Sequence, residues 1–300
     1  MGTPRTRGRP PDRAVTGPAH PVHEGTGPAL CAWGTAPALV LLAIALLAYT
    51  AAARRARRTP RGWNGLRTAS FTLGVALLAA ALLLPSLTHT AHHDPRVHML
   101  QHLFIGMYAP LALVMAAPLT LGLRTLPATR RRPVARVLRS RPVHVLGHPA
   151  TALLLDTGVL YLVHLTPLHT AMQTHPPVQA LVYLHYLAAG YLFAWSLAGP
   201  DPAPRRPGTA TRLTTLLLAI AAHSFLAKLL YAHPHTWPPG AAHTALAEEA
   251  AQLMYYGGDL AELLLAVALF AGWYRRRSRT PRPLAERGAH AYPGAMFQRH

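Results

Sequence analysis

The stretch His89-Thr-Ala-His92-His93-Asp94-Pro95-Arg96-Val97-His98-Met99-Leu100-Gln101-His102 lies between two apolar runs, each long enough to cross a bilayer. It contains five histidines, one carboxylate and one methionine. His98 and His102 are four residues apart, so they share one face if the stretch is helical. Neutral imidazole is the commonest protein ligand for transition metals. The stretch therefore predicts a metal site rather than a polar loop that happens to contain histidine.

The composition of the rest of the chain is that of a multi-pass membrane protein. Of its 300 residues, 51% are hydrophobic and only 13% are charged, whereas soluble domains carry about 25% charged residues. The net charge of +19 comes almost entirely from arginines in short loops between apolar runs, which favours a role in membrane topology over nucleic-acid binding. Cys31 is the only cysteine, which excludes an intramolecular disulfide and a thiolate cluster.

The apolar runs predict an all-α, polytopic membrane bundle of seven transmembrane helices. Residues 1–30 are expected to form a disordered basic tail rich in proline and glycine, residues 31–274 the membrane domain, and residues 275–300 a second basic tail. The predicted spans are Trp33–Ala53, Ala69–Leu87, Leu103–Leu123, Ala150–Leu165, Val178–Leu197, Leu213–Tyr231 and Ala250–Tyr274.

Arginine predicts the orientation of these spans. The loops after the first, third and fifth spans, with the tail after the seventh, hold nearly all the arginines of the predicted membrane domain and its ends. The loops after the second, fourth and sixth spans hold only Arg96. The positive-inside rule then predicts that the N-terminus is outside and the C-terminus cytoplasmic.

Most histidines of the membrane domain fall at the arginine-poor end of the predicted bundle. An interfacial position, where an imidazole can reach water, accounts for His169, His175, His233 and His235. It accounts poorly for His185, about two turns into the fifth span, and for His223, near the middle of the sixth.

Ionisable side chains inside membrane spans are costly and usually face the bundle interior. The candidates are His185, His223, Lys228, Asp259 and Glu262. Counting from the helix ends places His223 and Asp259 at the same depth, so we expect them to face each other. Lys228 is expected either to pair with a carboxylate or to belong to a proton relay.

Several motifs resemble the bacterial CtaG family of multi-pass cytochrome c oxidase assembly factors. The motifs are His98-Met-Leu-Gln-His102 leading into Ala109-Pro110 and Ala117-Pro118-Leu-Thr-Leu-Gly122, His148-Pro149, His164-Leu-Thr-Pro167-Leu, Gly199-Pro200-Asp201-Pro202 and Met254-Tyr-Tyr-Gly257-Gly258-Asp259. The resemblance covers residues 33–274. It implies a protein of the bacterial plasma membrane whose partners are cytochrome c oxidase subunit I, other oxidase assembly factors and the lipid bilayer, with no nucleic acid. It also implies that the protein supplies copper to subunit I.

The residues themselves are compatible with copper exchange at an outward-facing histidine cluster. The candidate ligands are His89, His92, His93, His98, Met99, His102, His185 and His223. Asp94, Asp259, Glu262 and Lys228 are the candidate ion-pair or supporting groups, and Asp94 could orient an imidazole. An intramembrane zinc hydrolase, a proton or metal transporter and a heme-binding bundle remain alternatives on these residues.

Overall fold

The computed structural model describes residues 2, 27–87, 94–203, 206–239 and 246–278. Across this part of the chain the regular secondary structure consists of helices. The helices are α1 (Gly27–Arg57), α2 (Gly65–Leu87), α3 (Pro95–His102), α4 (Ala109–Met115), α5 (Pro118–Thr125), α6 (Ala128–Leu138), α7 (Arg141–Leu146), α8 (Pro149–Leu165), α9 (Leu168–Thr174), α10 (Pro176–Ala198), α11 (Thr209–Ala232) and α12 (Leu246–Arg277), with a π-helical segment, Leu103–Tyr108, between α3 and α4.

Six helical segments in the described ranges are long and apolar enough to cross a membrane. They are Thr35–Arg57, Gly65–Leu84, Pro95–Met115, Pro176–Ala198, Thr209–Ala232 and Leu246–Arg277. A seventh span is completed only if α8 and α9, which meet at a bend of 80°, are counted together. This confirms the predicted all-α membrane bundle, whereas the side on which each terminus lies stays a prediction.

The predicted bounds of the third span, Leu103–Leu123, are wrong. The span runs from Pro95 to Met115, because Asp94 caps it: the Asp94 carboxylate accepts a hydrogen bond from the backbone N–H of Arg96 at 2.9 Å. It ends where Ala117 adopts a left-handed conformation with φ of 54° directly before Pro118. A hydropathy profile does not show this break. Because the span begins at Pro95 rather than Leu103, His98 and His102 lie inside the spanning helix.

The π-helical segment Leu103–Tyr108 lies where three helices approach closely. A Cβ atom on Gly190 of α10 would clash with the backbone carbonyl oxygen of Gly106, and one on Gly257 of α12 would come within 2.5 Å of Leu103 Cδ1. Glycine removes the side chain that would otherwise keep membrane helices apart. The third span is therefore packed tightly against both α10 and α12.

At the arginine-rich end, the loop after α10 is fastened to the start of α5. The Asp201 carboxylate accepts hydrogen bonds from the backbone N–H groups of Leu119, at 3.1 Å, and Thr120, at 2.7 Å. Arg206 donates to the backbone carbonyl of Asp201 at 3.0 Å, and burial lowers the pKa of Arg206 to about 10, which leaves it charged at neutral pH. Asp201 therefore caps α5 from a distant part of the chain.

Replacing Asp201 by alanine should destabilise the bundle by about 1–3 kcal/mol, because two backbone donors at the start of α5 lose their acceptor. The measurement is the thermal unfolding midpoint of the purified protein in detergent. Glu248→Ala is the matched control, since Glu248 is an exposed acid in the first turn of α12. Equal midpoints for the two variants would show that Asp201 does not hold this end together.

Candidate metal centre

Three imidazoles from three helices meet at the arginine-poor end of the bundle, and we call them the imidazole cluster: His98 of α3, His164 of α8 and His169 of α9. Their ring centroids are 5.1 Å apart for His98 and His169, 6.1 Å for His98 and His164, and 6.4 Å for His164 and His169. His164 is fully buried and His169 is 5% exposed. The three rings thus form a compact triangle in which His164 and His169 are buried and His98 is partly exposed.

Each ring of the imidazole cluster keeps one buried nitrogen without a hydrogen-bond partner: His98 Nε2, His164 Nε2 and His169 Nδ1. His164 Nδ1 lies 2.9 Å from the backbone carbonyl of Leu160. Since a carbonyl oxygen can only accept, Nδ1 carries the proton, and Nε2 of the neutral ring has a free lone pair. This arrangement is typical of metal-binding histidines, whose second nitrogen is held by a backbone carbonyl.

Gln101 fixes the rotation of α3 and therefore the direction in which His98 points. Its side-chain NH2 donates to the backbone carbonyl of Ala81 in α2 at 2.9 Å. Its side-chain oxygen accepts from the Tyr183 hydroxyl of α10 at 2.8 Å. Because both bonds are buried or partly buried, α3 is held between α2 and α10 at a defined angle.

The spacing of the imidazole cluster is close to that of a three-histidine metal centre. With metal–nitrogen distances of about 2.0–2.1 Å, three imidazoles on one ion place their ring centroids roughly 5–5.5 Å apart. One pair already has this spacing, and the others are up to about 1 Å wider. As the side chains stand in the described ranges, no three His, Cys, Asp or Glu residues are arranged to hold an ion. The donors therefore suit a metal, and the rings must approach one another to bind it.

One helical turn further along α3, a second group of polar side chains surrounds a cavity of about 40 Å³. We call it the acidic cavity and define it by His102, Asp156, His223 and Glu262. The centroids of His102 and His223 are 6.2 Å apart. His223 Nδ1 lies 3.6 Å from Glu262 Oε1, and both side chains are almost fully buried.

His223 and Asp259 lie on facing helices as expected, but the two side chains bind different partners. Helices α11 and α12 do pack together, but Asp259 accepts a hydrogen bond from the Ser224 hydroxyl at 3.3 Å. Gly258 and Glu262, which are four residues apart and share one face, are the α12 residues beside His223. Counting along a helix estimates depth, whereas the face of each residue changes by 100° per position.

Other predicted site residues have different surroundings. Met99 is buried in the apolar core cluster with Leu78 and Ala81. His185 Nε2 donates to the backbone carbonyl of Leu155 at 3.0 Å. Lys228 is exposed, and its ammonium lies 5.3 Å from the centre of the Tyr255 ring. The contacts of these three side chains are those of core packing and of helix-to-helix contact.

The structure shows that Asp94 is engaged with Arg96 rather than with an imidazole. The Arg96 guanidinium lies 2.9 Å from Asp94 Oδ2 and also contacts Glu249 of α12. Hydrogen bonds from Arg96 lower the pKa of the Asp94 carboxyl. His89, His92 and His93 lie outside the described residues.

Sequence reasoning missed His164, His169 and Asp156 as members of these two groups. His169 was expected at the interface, but it is buried against His98. Their spacing in the sequence could have indicated these roles. His164 and His169 flank the break between α8 and α9. Asp156 precedes His164 by eight residues, which is about two helical turns. An imidazole on each side of a helix break is brought back toward the bundle when the chain bends.

A family model described as "Cytochrome c oxidase caa3 assembly factor (Caa3_CtaG)" matches residues 47–276. The chain belongs to this family. The match spans all the residues of the imidazole cluster and the acidic cavity. As a Caa3_CtaG family member with several apolar helices, the chain is a multi-pass protein of the bacterial membrane.

Mycobacterial relatives of this Caa3_CtaG protein are much longer. An uncharacterized protein of Mycobacterium bovis and one of Mycobacterium tuberculosis are each 38% identical over 136 residues, covering 43% of this chain and 21% of theirs. An uncharacterized protein of Mycobacterium leprae is 30% identical over 189 residues, covering 60% of this chain and 28% of its own. This chain therefore aligns with about a fifth to a quarter of these relatives. No solved structure matches it.

Proposed function

We propose that this protein is an assembly factor for cytochrome c oxidase, as its family description suggests, and that it binds copper at the imidazole cluster and passes it to the copper site of oxidase subunit I. The observation that supports the proposal is the set of three buried nitrogens, one on each of His98, His164 and His169, that have no hydrogen-bond partner. Buried polar atoms are rarely left unpaired. Imidazole suits copper, and neutral imidazoles release it more readily than a thiolate pair would.

Position in the fold also supports transfer. The imidazole cluster lies at the first turn of α3 and at the junction of α8 with α9, close to one end of the bundle. An ion held there is separated from a docked membrane partner by little protein. Ligand exchange, in which imidazoles of the partner replace those of the cluster one at a time, then moves the ion without leaving it bare.

A zinc hydrolase built on His98, His102 and His223, with Asp259 nearby, is less well supported. Such a site needs three ligands and an activated water on one ion. His98 faces the imidazole cluster, His102 and His223 face the acidic cavity, and Asp259 bonds Ser224. The family also suggests a non-catalytic role.

Cu(I) binding by the purified protein tests the proposal. His98→Ala, His164→Ala and His169→Ala should each weaken Cu(I) affinity by at least about tenfold, the lower limit for losing even a supporting residue of a metal site. The affinity is measured by competition with a coloured Cu(I) chelator. His175→Ala should bind as the wild type does, because His175 is exposed beside the cluster. Unchanged affinity in all three cluster variants would refute copper binding here.

A further inference from the structure

The acidic cavity has a mostly apolar lining into which four ionisable side chains are inserted. Four helices supply its ionisable groups: His102 from α3, Asp156 from α8, His223 from α11 and Glu262 from α12. Its volume of about 40 Å³ is enough for roughly two or three water-sized particles. The cavity is therefore large enough to hold an ion among these side chains.

Four polar atoms of this cavity have no hydrogen-bond partner, beside the contact between His223 Nδ1 and Glu262 Oε1. Both ring nitrogens of His102, Nε2 of His223 and Oε2 of Glu262 are buried and accept or donate no hydrogen bond. These three residues are only 4–5% exposed. Unpaired polar atoms are costly in a protein interior and more so inside a membrane, so the arrangement indicates an occupant that the side chains bind.

The charges of the lining favour a cation as that occupant. Asp156 and Glu262 place two carboxyl groups in the same cavity, and no arginine or lysine lines it. A divalent ion would neutralise two carboxylates, whereas His223, which lies 3.6 Å from Glu262, offsets at most one of them and only when it is protonated. Two imidazoles with two carboxylates form a mixed nitrogen and oxygen donor set, which suits divalent first-row metals such as zinc or cobalt.

We propose that the acidic cavity is a second metal site, separate from the imidazole cluster, that binds a divalent first-row transition metal through His102, His223, Glu262 and Asp156. The two sites differ in donors, since one offers three neutral imidazoles and the other adds two carboxylates. The proposal goes beyond copper handling and does not depend on it.

Two glycines let the imidazoles of the cavity lie directly against neighbouring helices. Gly258 allows the His223 ring to contact α12, because a Cβ atom there would clash with the ring. Gly106 lies beside the His102 ring and presents no side chain to it. Within the described ranges no three donors converge as they stand, and the free volume between them is where the rings would turn toward an ion.

Cobalt(II) is the probe, because its visible d–d absorption reports the donors around it. The wild-type full chain in detergent should bind Co(II) with a band typical of a low-coordinate nitrogen and oxygen site. Glu262→Gln and His223→Gln, which roughly keep side-chain size, should weaken Co(II) binding by at least about tenfold and remove the band. Asp259→Asn is the matched control on α12 and should leave both unchanged.

The imidazole-cluster variant His164→Ala with His169→Ala separates this site from the proposed copper site. It should keep the Co(II) band, while Glu262→Gln should keep Cu(I) affinity. Gel filtration of each variant checks that it is folded. Absence of Co(II) binding by the wild type, or a band that survives Glu262→Gln in a folded protein, would overturn the proposal. A band lost only in the His164 and His169 variant would assign the ion to the imidazole cluster instead.

Discussion

Gly190→Ala is expected to leave almost no folded protein in the membrane. The added Cβ atom would clash with the carbonyl oxygen of Gly106 and come within 3.1 Å of Pro110 Cγ. The obstructing carbonyl is backbone, which cannot rotate away as a side chain can. Relief requires α10 and the third span to separate, which would break the apolar contacts between them, and overpacking of this kind typically costs 1 to 3 kcal/mol or more.

Gly158→Ala is the matched control for this prediction. Gly158 lies in α8, another helix of the bundle, and a Cβ atom there would meet only Leu154 Cδ1, at an ordinary 3.8 Å. The measurement is the amount of monodisperse protein in detergent extracts and its thermal unfolding midpoint. If both glycine variants are equally abundant and equally stable, the close approach of Gly190 to Gly106 does not support the fold.

Replacing His98 and His164 together by alanine should produce cells whose cytochrome c oxidase is deficient in copper when copper is scarce. The double variant lacks two of the three unpaired nitrogens of the imidazole cluster. The affinity of the proposed site for copper should therefore fall by more than about tenfold. Excess copper should restore part of the activity by mass action. Oxidase heme should fall less than oxidase copper.

The measurement is copper content, heme content and oxidase activity in membranes from wild-type and mutant cells grown at low and high copper. His175→Ala is the control in the same assay, since it removes an exposed imidazole next to α9. The level of the mutant protein in the membrane is measured at the same time. Normal oxidase at low copper in cells that contain normal amounts of the double mutant would refute the role of the cluster.

The sequence predicted the membrane bundle and its family, because long apolar runs and short local motifs are both readable without contacts. It could not predict which histidines meet. His98 and His102 share a helix face, yet His98 joins the imidazole cluster and His102 the acidic cavity. Each position along a spanning helix meets different neighbours, and those neighbours are set by packing among distant segments.

The same limit explains the choice of carboxylate beside His223. Counting residues from a helix end estimates how deep each residue lies in the membrane, and this count placed His223 and Asp259 at the same depth. The face that α12 presents depends on where glycine permits contact, and Gly258 brings Glu262 rather than Asp259 to the ring. Burial of His169 likewise follows from the 80° bend after α8, which hydropathy does not register.

The π-helical segment between α3 and α4 has a consequence for how insertions and deletions act on this protein. A π-turn holds one more residue than an α-turn over a similar length. Deleting a single residue between Leu103 and Tyr108 would thus allow an unbroken α-helix to form there. Because a π-turn and an α-turn each complete one full turn, the half of the span that carries His98 and His102 would then keep nearly the same orientation relative to α4. The segment thus accommodates one extra residue in the third span. A deletion in the α-helical part of the span would instead turn the two halves by about 100° relative to each other and move both rings away from their partners.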